Sequence, residues 1–123
     1  MILADTSVWI DHFRSPEPKI TQLVQASKLV MHQYVIGELA MGPLADRNLR
    51  LRLWGMMPML PTVALADVLA LVESRRLYSR GIGYMDASLL ASALLSRGTL
   101  VWTRDGKFGK AAQALGVFAE IDD

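Results

Sequence analysis

Four acids in this chain stand where a carboxylate can do chemistry. Asp5 ends the apolar run Met1-Ile2-Leu3-Ala4 and is followed by Thr6-Ser7, and Asp105 follows Leu100-Val101-Trp102 and Thr103 in the same design of apolar run, hydroxyl and acid. Asp86 opens a helical segment just after Gly83, and Glu38 is the only acid between Leu29 and Leu44. Each has a purely structural explanation, since Asp caps helices, suits the positive end of the helix dipole, and a lone Glu can sit on an exposed stripe. If the four converge, they repel one another, and some must take up protons unless a cation intervenes. With no cysteine and no histidine pair at ligand spacing, hard oxygen donors favour Mg²⁺ or Mn²⁺ over Zn²⁺. Such ions activate water and neutralise charge on a phosphodiester under in-line attack. Thr103, Thr6 and Ser7 are the hydroxyls able to orient the acids or hold metal-bound water.

Positioning these acids falls to short apolar strands alternating with helices. The strands are expected at the N-terminus, at Leu29-Val30-Met31, at Leu100-Val101-Trp102 and at Val117-Phe118, with a short one conceivable near Met59 and Leu60. Helices are expected over Thr6 to Phe13, from Ile20 to Ser27, from Gln33 to the Gly42-Pro43 stop, from an Asp46 cap to Trp54, from Leu65 to Ser79, after Asp86, and from Lys107 to Leu115. The Leu65 to Ser79 helix is expected to bury Leu65, Val68, Leu69 and Val72. The alternation predicts an α/β fold, a three-layer α/β/α sandwich with a mostly parallel central sheet, as one domain over 1–123. Ligands of such sheets sit beyond the carboxyl ends of the strands. Asp5 and Asp105 lie there, Asp86 begins a helix at the same end, and Glu38 can reach the cleft from its own helix.

The 123 residues carry a net charge of +1, too little to mark a polyanion partner by bulk charge. Arginines and lysines nevertheless cluster at Arg47, Arg50 and Arg52, at Arg75, Arg76 and Arg80, and at Arg104, Lys107 and Lys110. The absence of cysteine, of a secretory leader and of any unbroken membrane-spanning stretch points to a cytoplasmic protein with no membrane partner. Val8, Trp9, Ile10, Met56, Met57 and Met59 are candidates either for core or for a surface that a partner covers.

Asp5-Thr6-Ser7, Glu38-Leu39, Gly83-x-x-Asp86-x-x-Leu89-x-Ala91, Thr103-x-Asp105-x-x-Phe108 and Gly116-Val117 together resemble the PIN domain, specifically the toxin ribonucleases of bacterial VapBC toxin-antitoxin systems. The resemblance covers essentially the whole chain. It implies a metal-dependent endoribonuclease whose Mg²⁺ or Mn²⁺ ligands are Asp5, Glu38, Asp86 and Asp105, with Thr103 as the accompanying hydroxyl. It also implies an RNA substrate, a cognate VapB-type antitoxin and a homodimer. Arg104, beside Asp105, is the first choice for holding RNA, with Thr6 and Ser7 near the substrate. Many relatives carry Ser or Thr just after the second strand, where this chain has His32-Gln33-Tyr34; His32 is expected to be structural. A non-catalytic PIN-like RNA-binding or interaction module is the alternative and predicts a degraded quartet. An aspartyl-phosphate phosphatase would need a second acid where Ser7 stands.

Overall fold

The structure, a computed structural model, describes residues 1–122. Its centre is a parallel sheet of β1 (Ile2–Ala4), β2 (Leu29–Val30) and β3 (Leu100–Trp102) in the order β2-β1-β3. Ile2 pairs with Leu29 on one side and Leu100 on the other, and Ala4 pairs with Trp102. Single parallel bridges, Met31 to Met59 and Val101 to Phe118, extend the sheet at its two edges. The strand expected at Val117-Phe118 is therefore one bridge long.

Around the sheet lie α1 (Thr6–Arg14), α2 (Pro18–Gln25), α3 (Gln33–Ala40), α4 (Arg47–Gly55), α5 (Leu65–Ser74), α6 (Tyr84–Leu95) and α7 (Gly106–Ala114), as the predicted α/β sandwich requires. Strands of two or three residues suffice because both faces are covered: Leu3, Ala4, Met31, Val101 and Trp102 are buried, packed with Val8, Val35, Val68, Leu89, Leu90 and Phe108 from the helices. Parallel strands leave β1 in opposite directions through right-handed crossovers, so the order reverses at β1. The crevice beyond the carboxyl ends of β1 and β3 is then the expected ligand site.

Several local expectations are corrected. The helix from Leu65 ends at Ser74 rather than Ser79, because Arg76 takes a left-handed conformation (φ 53°) and a separate 3₁₀ turn, Leu77–Ser79, follows. Val68 is buried, but Leu65 and Leu69 are 59% and 47% exposed; Leu69 stands at a cleft it lines with Leu77, Tyr84 and Ala87. The Asp46 side chain makes no cap bond to α4, its own backbone being left-handed (φ 50°). Of the suspected partner surface, Val8 and Trp9 are core, whereas Ile10, Met56 and Met59 are exposed.

His32 is fully buried and serves the fold. Its Nδ1 accepts the Tyr34 N–H at 3.0 Å, which leaves the proton on Nε2 to be donated to Ser92 Oγ at 2.9 Å. It thus caps α3 and ties that helix to α6, and burial holds its pKa below the ordinary histidine range. Among the described residues no helix is long and apolar enough to cross a membrane.

Candidate active site

The register of the sheet brings Asp5 and Thr103 together, since Ala4 pairs with Trp102 and the Asp5 N–H donates to the Trp102 carbonyl at 3.0 Å. Asp5 caps α1: its Oδ1 accepts from the Ser7 N–H (3.0 Å), the Val8 N–H (3.3 Å) and the Ser7 hydroxyl (2.5 Å). Its Oδ2 accepts from the Thr103 hydroxyl at 2.5 Å. Thr103 Oγ1 in turn accepts the Asp105 N–H at 3.1 Å, and Ser7 Oγ accepts the Arg104 N–H at 2.9 Å. Two short hydroxyl side chains thus fasten the ends of β1 and β3 to each other. Burial raises the Asp5 pKa, and the hydrogen bonds from Ser7, Thr103 and Val8 offset that only partly.

Asp105 is the N-cap of α7, its Oδ1 taking the Phe108 N–H at 3.0 Å. Asp86 does not stand at the cap position. Gly83 is the N-cap of α6 and lends no side chain, while Asp86 lies in the first turn. Its carboxyl is pushed up to about 6, first by burial, then by the negative charges of Asp5, Asp105 and Glu38, against an opposing pull from the Gly83 amide. Glu38, exposed on α3, lines a cleft with Ile10, Phe13, Arg14 and Leu39. The four acids are therefore close enough for three of them to press on the fourth. They have not drawn into a ready-made cage, because among the described residues no three acid or imidazole groups are gathered tightly enough to hold an ion by themselves.

Arg104 points away from this cluster. Its Nη1 donates to Asp11 at 3.0 Å, its Nη2 to Glu17 at 2.7 Å and to Asp122 at 3.1 Å, and its Nε to Asp122 at 3.2 Å. The guanidinium also lies over the Trp102 ring, 5.5 Å from its centroid, and the Trp102 Nε1–H donates to Asp122 at 3.0 Å. Hydrogen bonds, first to Asp122, raise the pKa of Arg104 further above its ordinary value. The residue expected to hold RNA is thus engaged by three carboxylates, none of which the sequence marked.

A family model described as the PIN domain matches residues 2–114. Over 117 residues, 95% of this chain and 94% of the relative, the sequence is 41% identical to Ribonuclease VapC32 of Mycobacterium tuberculosis, in strain CDC 1551 / Oshkosh and in strain ATCC 25618 / H37Rv alike.

Proposed function

The chain belongs to the PIN-domain family, in its VapC-type branch, and from that premise we propose that it is an endoribonuclease toxin of a type II toxin-antitoxin pair. It hydrolyses RNA phosphodiester bonds at the cleft of Asp5, Glu38, Asp86 and Asp105 with Mg²⁺ or Mn²⁺. The observation that carries this reading is Asp86, whose carboxyl is held up to about 6 by burial and by three neighbouring acids. A structural cap would gain nothing from that repulsion. An all-oxygen donor set that repels itself, in which Asp86 has only the Gly83 amide and one oxygen of Asp105 accepts from the Phe108 N–H, fits a hydrated hard cation, which keeps several waters and needs only a few protein carboxylates.

Those three acids and Asp5 would hold the ion, which when bound neutralises charge on the scissile phosphate and lowers the pKa of water. The chain's own contribution is orientation. Asp5 is fixed by Ser7 and Thr103 before any ligand arrives, so its carboxylate need not be ordered during the reaction. Thr103 also positions the backbone of Asp105. Arg104 is better read as a brace that fastens α1 and the C-terminal segment behind this edge than as the main RNA contact, because three acids already share its charge.

A VapB-type antitoxin holds the enzyme inactive in this reading. The cleft that runs past Ile10, Phe13, Leu39 and Leu44 to Glu38 supports it, being an apolar groove that ends at a site acid. A second copy of the chain covers the exposed Leu65, Leu69, Leu94 and Leu95 on α5 and α6 in this reading, and the proposed setting is the cytoplasm, where an RNA substrate is met. The direct test is to sequence RNA ends after brief expression of the intact chain and of Asp5→Asn. New ends at defined sites with the former, lost with the latter, are expected; the same ends with both would remove the acids from the chemistry.

A further inference from the structure

A cleft walled by carboxylates repels a phosphodiester chain, so a cation must hold the strand near it. Arg14 lines the cleft on the Glu38 side; with Arg104 occupied, the cation that follows Asp105 in the chain is Lys107. It is the second residue of α7, two positions after Asp105, and its side chain lies across the turn that precedes α6. A methyl group placed on Gly81 would come within 3.1 Å of Lys107 Cδ and 3.4 Å of Nζ. Gly81 itself has φ 73°, a conformation that other residues reach only with strain. The turn can therefore pass beneath the lysine because it carries no side chain there.

This places one ammonium between the two segments that carry Asp105 and Asp86. The ion pairs of the described residues all belong to Arg104, so among those residues no acid is paired with Lys107. A lysine stem packed on a glycine turn is an ordinary way to cover surface, but such a lysine gains nothing from being at this edge. Resting on the ribonuclease reading above, we propose that Lys107, laid over Gly81, holds a phosphate of the RNA backbone beside the acidic cleft and so sets substrate affinity.

Binding of a short fluorescein-labelled single-stranded RNA to the Asp86→Asn protein, measured in Mg²⁺ over a range of salt, tests this directly. Adding Lys107→Gln is expected to shrink the slope of log affinity against log salt by about 0.7, the share of one phosphate contact to a single strand. In the otherwise intact enzyme, Lys107→Gln should raise KM several-fold with little change in kcat. Lys107→Arg should restore both, and Lys28→Gln, at the opposite edge of the sheet, should leave both alone. An unchanged slope with Lys107→Gln, or an equal loss with Lys28→Gln, would overturn the assignment. Shortening of the RNA in the Asp86→Asn samples would instead overturn the acidic-site reading, and the two failures are told apart in the same tubes.

Discussion

Two groups of acids flank the end of β3, and they are built in opposite ways. Asp11, Glu17 and Asp122 share the guanidinium of Arg104; although burial alone would raise Asp122, hydrogen bonds from Arg104 and Trp102 carry it below the ordinary carboxylate range. No lysine or arginine is paired to Asp5, Glu38, Asp86 or Asp105 among the described residues, and Asp86, under the charge of the other three, is driven the other way, to about 6. The chain can satisfy acids with a cation where it needs only structure. A second group left without such a cation, with one carboxyl raised by its neighbours, is what the proposed cation site requires.

The sharpest way to break this contrast is to neutralise one member of each group. Asp86→Asn removes a ligand without changing its size and should reduce RNA cleavage by more than the roughly 10- to 100-fold typical of groups that only orient a metal ligand. The metal-free fold should be unharmed or slightly more stable, because a repelled charge has gone. Arg104→Ala should do the reverse. It leaves three acids, of which Asp122 is exposed, beside each other and should cost about 1 kcal/mol in chemical denaturation, with cleavage at permissive temperature largely retained. If Arg104→Ala keeps its stability but loses RNA affinity with a flatter salt dependence, Arg104 is an RNA contact after all and the brace is wrong.

A smaller effect sharpens the same contrast through pH. The folded Asp86 carboxyl, at about 6, lies above its ordinary 3.8, so between these values the folded protein holds a proton that the unfolded chain has released. Stability from this group is therefore present at low pH and lost as pH rises toward 6. His12 and His32 act oppositely, since burial lowers both below their ordinary 6.5 and their neutral forms favour folding as pH rises. Subtracting the stability of Asp86→Asn from that of the wild type cancels the histidines. The difference, measured by denaturation without metal, should fall from pH 4 to pH 7; a flat difference would mean that Asp86 is not under the pressure described.

The acidic edge was legible in sequence because its signals are local. A short apolar run ending in a hydroxyl and an acid describes both β1 with Asp5 and β3 with Asp105, and the parallel register then places the two ends side by side. The role of Arg104 was not legible, because its partners Asp11, Glu17 and Asp122 are 93, 87 and 18 residues away and look like ordinary surface acids. Adjacency to Asp105 said where its backbone goes and nothing about where a long side chain points. The reach of Lys107 over Gly81 is equally non-local, although a glycine turn just before an acid-bearing helix was its one visible trace. Periodicity assigned Leu65 and Leu69 to the core because they keep helical spacing whether or not anything packs on them, and α5 was overextended because the left-handed Arg76 carries no residue-type signal for a helix end.

The central claim is that Asp5, Glu38, Asp86 and Asp105 form one divalent-cation site needed for RNA cleavage. The most direct measurement is the melting temperature of the wild type and of Asp86→Asn, each with and without millimolar Mg²⁺ or Mn²⁺, with RNA cleavage assayed on the same samples. Because an ion that binds only the folded state stabilises it by mass action, the wild type should melt higher with metal, Asp86→Asn should gain little, and cleavage should follow the same division. A wild type that gains no stability from metal, together with an Asp86→Asn protein that cuts RNA at the wild-type rate, would contradict the account.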